Sequence, residues 1–315
     1  MSLPALLEQR LRLPVVAAPM FLISNPQLVL ACCRNGVVGS FPALNQRESS
    51  GFKAWLEEIE AGLALLDNPA PYAVNLIVHN SNPRVEADLA ICVEHKVPIV
   101  ITSLGAVQEL VDAVHSYGGL VFHDIINNFF AKKAIEKGAD GLIAVAAGAG
   151  GHAGTQSPFA LVQEIREWFD GPVLLSGSIA KGDASLGAQA MGADLAYIGS
   201  AFIATDEANA DERYKQSIVD SSASDIIYSN LFTGVHGNYL RSSIEAAGLD
   251  PNDLPESDPS KMDFGDGSSK AWKDIWGSGQ GIGAIKKIGP ASELIERLKQ
   301  EYSSARQRMD QLPWK

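Results

Sequence analysis

Val173-Leu174-Leu175-Ser176-Gly177-Ser178-Ile179-Ala180-Lys181-Gly182 and, shortly after it, Leu195-Ala196-Tyr197-Ile198-Gly199-Ser200-Ala201-Phe202 decide how this chain is read. Each is a short apolar run that breaks into glycine and serine. The runs have the length of buried strands. The glycines let backbone N–H groups approach an anion closely, and the serine hydroxyls add donors. The stretch between them, Asp183–Met191, has helical spacing. Two consecutive strand–helix units, each strand ending in a small-residue loop, are the usual phosphate cradle of a (β/α)8 barrel.

Working outward from that pair, the same alternation runs through the first two thirds of the chain. Candidate strands are Val15–Ala18, Val37–Ser40, Ala73–Val78, Ile99–Thr102, Leu120–Asp124 and Gly141–Val145, which with the two above make eight. Helical periodicity fills Pro26–Arg34, Gly51–Leu66, Val85–His95, Ala106–Ser116, Asn128–Lys137 and Pro158–Trp168. Several helices stop at a glycine, in RNG, SYGG, EKGADG and AMGAD, as a left-handed closing residue requires. Alternating strands and helices imply a parallel sheet with right-handed crossovers. Eight units argue for closure into a parallel (β/α)8, or TIM, barrel. An open doubly wound sheet would be expected to carry G-x-G-x-x-G after its first strand, and here that strand ends in Ala18-Pro19-Met20-Phe21.

The pattern changes near residue 210. Residues 212–283 read as a small, mainly helical insertion followed by a loop rich in Asp, Ser, Pro and Gly, capping the barrel mouth. Residues 1–211 and 284–315 form the barrel on this reading. Pro290–Arg308 is a terminal amphipathic helix for its outer surface.

Composition narrows the function classes. Of 315 residues, 46% are hydrophobic and 20% charged, ordinary for a large core. The net charge is −12 and no basic run occurs, which argues against a nucleic-acid partner. The three cysteines, Cys32, Cys33 and Cys92, lack metal-ligand spacing and read as core thiols in a reducing compartment. No apolar run approaches the ~20 residues of a membrane span, and the N-terminal stretch has no signal architecture. A cytoplasmic location is expected, and a homodimer is compatible with it.

Working groups of such barrels sit on loops after the strands' C-terminal ends. After the sixth strand comes Ala146-Ala147-Gly148-Ala149-Gly150-Gly151-His152-Ala153-Gly154-Thr155. One imidazole in a glycine-rich loop suits a group that must touch a ligand, and imidazole can serve as acid or base near neutrality. The fifth strand ends in His123-Asp124. Neighbours on a strand point to opposite faces, so one faces the barrel and the other the packing layer. Asn75 is an amide inside an apolar strand and needs partners, which a ligand's polar edge would supply. The loop Trp276-Gly277-Ser278-Gly279-Gln280-Gly281 offers a further close approach to a planar ligand. His79, His95, His115 and His236 carry weaker signals. Tyr228, Tyr239, Arg241 and Lys270 lie in the insertion, where they would meet a substrate or serve as surface and packing.

These residues resemble the nitronate monooxygenase family, formerly the 2-nitropropane dioxygenases. The likeness rests on Ala17-Ala18-Pro19-Met20, Asn75, Gly150-Gly151-His152-Ala153-Gly154, Ser176-Gly177-Ser178 and Gly199-Ser200, in order along the whole barrel. It implies FMN with its phosphate on Gly177, Ser178, Gly199 and Ser200 and its ring near Ala18, Met20 and Asn75. Asp124, Gly151, Ser176 and Gln280 complete the expected cofactor contacts. It implies His152 as catalytic residue, no metal, and oxidation of alkyl nitronates by O2 to a carbonyl compound and nitrite. Two alternatives stand beside it. One is an NAD(P)H-dependent FMN reductase of quinones or enoyl thioesters, which the wider family also contains; the other is a barrel that binds a phosphorylated metabolite without flavin. The chain departs from familiar members at Asp124, where a lysine is common. It departs again at Ser178, which replaces the second glycine of its loop, and over residues 212–283.

Overall fold

Short apolar runs alternating with helices close into a barrel. The computed structural model describes residues 3–257 and 274–313. Its eight parallel strands are β1 (Val15–Ala17), β2 (Gly39–Pro42), β3 (Tyr72–Ile77), β4 (Ile99–Ser103), β5 (Leu120–Ile125), β6 (Gly141–Val145), β8 (Val173–Ser176) and β9 (Leu195–Ile198). The remaining short strand, β7 (Gly151–His152), stands outside this sheet. The strand order is β1-β9-β8-β6-β5-β4-β3-β2, and a parallel bridge from Val16 to Val38 joins the two ends. The Ala17 N–H donates to the Val38 carbonyl at 2.8 Å and the Val38 N–H to the Val15 carbonyl at 3.2 Å. Closure leaves the barrel without an exposed strand edge.

Around the sheet lie α2 (Pro26–Arg34), α3 (Ser49–Leu63), α4 (Val85–Glu94), α5 (Gln108–His115), α6 (Asn128–Glu136), α7 (Pro158–Arg166) and α8 (Gly182–Ala190), with the short α1 (Ala5–Glu8) before the first strand. Local chemistry sets their ends. The Asn25 side chain accepts the Leu28 N–H at 2.8 Å at the start of α2, and Pro26 follows where no donor is needed. Asn127 caps α6 in the same way, accepting from Phe130. The stop signals behave as read: Gly36, Gly118, Gly138 and Gly192 all have left-handed φ.

The period-two alternation sorts the strand residues. Val16, Val38, Ala73, Ile99, Ile101, Phe122, Ile143, Leu174 and Leu195 fill the barrel interior, and Leu7 of α1 packs into the same cluster. Their strand neighbours Val74, Val100 and Val121 face outward onto Phe52 and Leu56 of α3 and Leu110 of α5. The thiols of Cys32, Cys33 and Cys92 are fully buried, and burial pushes them up, Cys33 to about 12, so they pack rather than react.

After β9 come α9 (Ser200–Ile203), α10 (Glu212–Asp220), β10 (Ile226–Ser229), β11 (Gly237–Leu240) and α11 (Arg241–Ala246). The terminal helix α12 (Ala291–Asp310) packs on α8 and α2. Besides its helices, the 212–283 segment carries a hairpin that the sequence reading did not include. β10 pairs antiparallel with β11, and β11 pairs antiparallel with β7, joining Gly237 to His152 and Asn238 to Gly151. β7 is too short, and its partner too distant in sequence, to leave a local periodicity.

Phe122 is 1% exposed at the centre of the barrel. Phe122→Ala is expected to cost about 3–5 kcal/mol of stability, seen in urea or thermal unfolding. A loss below about 1 kcal/mol would contradict its place in a close-packed interior.

Candidate active site

Two residues beyond the apolar interior layer, the inward positions become polar. Asn75, Ser103, Asp124, Ser176 and Tyr197 line the floor of a cavity of about 1160 Å³ at the C-terminal mouth. Asn75 donates to the Ile101 carbonyl at 3.2 Å and to Ser103 Oγ at 2.7 Å, and Ser103 in turn donates to Asp124 Oδ2 at 2.6 Å. Burial raises the Asp124 carboxyl to about 6, against the opposing pull of the Ser103 hydrogen bond. Tyr197 is raised too, by burial first and the Asp124 charge second. His123 projects from the opposite face of the strand, where the same cavity still reaches it. Its Nδ1 lies 2.7 Å from Thr102 Oγ1, and burial lowers it to about 4. The alternation expected at His123-Asp124 therefore resolves with the carboxylate toward the barrel axis.

His152 reaches the cavity because β7 is pinned to β11. Its Nε2 lies 3.0 Å from Thr233 Oγ1. The Thr233 hydroxyl donates to the Val235 carbonyl at 3.0 Å, which fixes it beside the imidazole. Asn238 braces the same loop by donating to the Ala149 carbonyl at 2.6 Å. Burial lowers the His152 ring to about 4, so it is neutral at neutral pH.

Across the mouth, the loops after β8 and β9 interlock with the 277–281 segment. Gly148, with φ +83°, sits where a Cβ would stand 2.1 Å from Ser178 Oγ; a Cβ on Gly281 would stand 2.9 Å from the Ser178 backbone. The Gly148 carbonyl accepts from the N–H groups of both Ser178 (3.2 Å) and Gln280 (2.9 Å). Ser200 Oγ accepts the Gly279 N–H at 2.9 Å. Among the described residues, the backbone N–H groups of Gly177, Gly199 and Ser200 have no acceptor within the chain. With the Ser178 and Ser200 hydroxyls they form a donor set suited to an anion.

Ala18, Met20, Asn75, Asp124, Gly151, His152, Ser176, Gly177, Ser178, Gly199 and Ser200 all line this one cavity. Gln280 does not; it lies behind the loops, bordering a smaller hollow with Lys181 and Asp183. Of the insertion residues singled out, Tyr228 lines the cavity and donates to the Ala153 carbonyl at 3.0 Å. Tyr239 is fully buried, Arg241 lies by Glu245 and Asn252, and Lys270 falls outside the described residues. His95 and His115 sit beside Glu60 and Asp140, away from the mouth. The sequence reading missed Ser103, Tyr197 and Thr233. The first two are polar residues at strand ends and could have been found by alternation; nothing local marks Thr233.

Comparison with known proteins first gives the class. The fold superposes on a nitroalkane oxidase from Streptomyces ansochromogenes (TM-score 0.82, 24% identity, covering 97% of this chain and all of that one) and on FabK from Thermotoga maritima (0.78, 23%, 97% and 96%). This is a (β/α)8-barrel enzyme, an oxidoreductase. It belongs to the nitronate monooxygenase family, whose profile, described as Nitronate monooxygenase, matches residues 5–301. A nitronate monooxygenase of Paraburkholderia phytofirmans is 25% identical, with 95% of this chain and 94% of that protein covered. One from Neurospora crassa is also 25% identical, with 91% and 88% covered.

The interlocked loops make a contrast that can be measured. Gly148→Ala is expected to lower stability by about 1–3 kcal/mol, since it adds a Cβ at left-handed φ against Ser178. Gly187→Ala, within α8 and with nothing within 4 Å of the added Cβ, should raise it by about 0.5–1 kcal/mol. Equal melting temperatures for the two variants would contradict the interlock.

Proposed function

We propose that the protein oxidises alkyl nitronates with O2, using FMN, to give a carbonyl compound and nitrite. The observation that carries this reading is a neutral imidazole, His152, held by β7, β11 and Thr233 over a cavity whose far wall offers an anion cradle. The family membership supports it, since relatives named nitronate monooxygenase align along nearly their whole length.

The residues suit FMN in three ways. The free N–H groups of Gly177, Gly199 and Ser200, with the serine hydroxyls, suit a phosphate dianion. Ala18, Met20 and Ile203 give a flat apolar wall for a ring system, while Asn75 and Asp124 give a polar edge opposite the cradle. Gly199 lies open toward Ala18 and Met20, with no atom nearer than 3.7 Å to an added Cβ, so a ring can approach the backbone there. Bound FMN supplies the electron-accepting ring that links substrate oxidation to O2.

The chain's own groups bind, orient and move protons. An imidazole that is neutral in the free protein can accept the proton of an acidic carbon. It can also take up a proton together with an incoming anion, because that charge favours imidazolium. Either use suits a nitro compound or its nitronate. The Thr233 contact fixes the ring's orientation and spares reorganisation during turnover. The described part of the 212–283 insertion acts as the cap on this reading: Tyr228, Val235 and His236 close one side of the mouth.

His152→Ala is expected to leave FMN bound while lowering nitronate turnover by about 100-fold or more, read by oxygen consumption and nitrite release. Undiminished turnover would remove His152 from the mechanism. Because the His152 ring titrates at about 4 in the free protein, kcat/KM of the FMN-saturated enzyme for a neutral nitroalkane that needs a base should stay level from pH 5 to 7. A fall as pH drops through 6.5 would show an ordinary, solvated histidine instead.

A further inference from the structure

Asp124 is an anomaly in this cavity. Its carboxyl lies at the floor, yet no Lys or Arg pairs with it among the described residues. Oδ2 is occupied by the Ser103 hydroxyl, so Oδ1 is the atom left for a ligand. The donors of its two nearest hydrogen-bonded neighbours are turned inward. Asn75 spends both amide hydrogens on Ile101 and Ser103, and Ser103 spends its hydroxyl hydrogen on Asp124. What Asn75 still offers is its carbonyl oxygen, an acceptor.

The polar edge of a flavin is an imide, one N–H flanked by two carbonyls. The Asn75 oxygen matches the N–H. A flanking carbonyl then needs a donor, and an ionised carboxylate is the worst neighbour it could meet in a buried site. From this geometry we infer that Asp124 binds the imide edge of FMN as the neutral acid, donating from Oδ1 to a ring carbonyl, so that FMN affinity is gated by the protonation of this one group. The inference rests on the FMN reading above and adds a pH-dependent recognition element to it.

The sign follows from linkage. A ligand that binds only the protonated acid raises its pKa, so affinity is full below the free-state value and falls as pH rises above it. For Asp124 that fall begins at about 6. Lys133 and Glu136 of α6 and Lys137 just after it, with His236, Tyr214 and Tyr228, also line the cavity. Tyr197 on β9 is held neutral by a raised pKa, and His152 is neutral above about 4. His123, on the same strand, faces Thr102, and His79, beyond β3, is hydrogen-bonded to Ser81. The phosphate of FMN itself titrates near 6, so the comparison must be against a variant at each pH rather than across pH alone.

The test is the dissociation constant of FMN, from quenching of its fluorescence, at pH 5.5 and 8 for the wild-type protein and Asp124→Asn. Asparagine keeps a donor and cannot ionise. The ratio of wild-type to variant dissociation constants is expected to rise about tenfold or more between the two pH values. Riboflavin, which lacks the titrating phosphate, gives the same reading on the wild-type protein alone should the variant fold poorly; its dissociation constant should rise by a similar factor. FMN binding with a ratio that stays flat or falls, or riboflavin binding unchanged with pH, overturns the inference and leaves the FMN reading standing. No FMN binding by the wild-type protein at either pH overturns both.

Discussion

The site depends on a ladder of two residue pairs. Gly151 and His152 would be part of a mobile glycine loop if β11 did not pair with them; pairing to Asn238 and Gly237 turns that loop into a strand and aims one imidazole at the cavity. Gly237 must be glycine for this to work, because a Cβ there would stand 2.7 Å from the Gly151 carbonyl oxygen. Thr233, Asn238 and Tyr228 then fasten the same loop through His152, Ala149 and Ala153. The barrel supplies a rigid floor, and the 212–283 segment supplies the partner strand that makes its sixth loop a precise element.

A second constraint is electrostatic. The protein carries a net charge of −12, and burial works against charge on the groups around the cavity. His152 and His123 are pushed down to about 4 and Asp124 up to about 6, in each case by burial before anything else. A low-dielectric floor that disfavours resident charge strengthens its interaction with charge that a ligand brings in. The anion cradle is built chiefly from backbone N–H groups and hydroxyls rather than lysines or arginines, which fits the same design: dipoles fixed in place cost less to bury than ions.

Much of this architecture was legible before any coordinates. All eight barrel strands lie within about two residues of the sequence reading, because a parallel strand buried on both faces must be a near-continuous apolar run. The helix stops were legible because only glycine fills a left-handed closing position cheaply, as Gly36 and Gly138 do. Gly177, Ser178, Gly199 and Ser200 were legible as a pair of loops at adjacent strand ends. Long-range pairing was not legible. β10 and β11 are short, and the Ile226-Ile227-Tyr228 run that forms β10 was read as helix and loop because its partner lies beyond Gly234 and His236. The glycines around Gln280 line the cavity and let the 277–281 loop press on Gly148 and Ser178, while Gln280 itself borders the smaller hollow beside it. The orientation of His123 and Asp124 was left open by alternation, and only the register of β5 against β4 decides it.

The proposed function requires that the cavity at the barrel mouth hold FMN and that a nitronate pass electrons to it. The direct measurement is the visible spectrum of the FMN-loaded protein under argon, before and after adding an alkyl nitronate. Loss of the oxidised flavin absorption on addition, and its return when air is admitted, is the expected result. An oxidised spectrum that persists through the addition would contradict it.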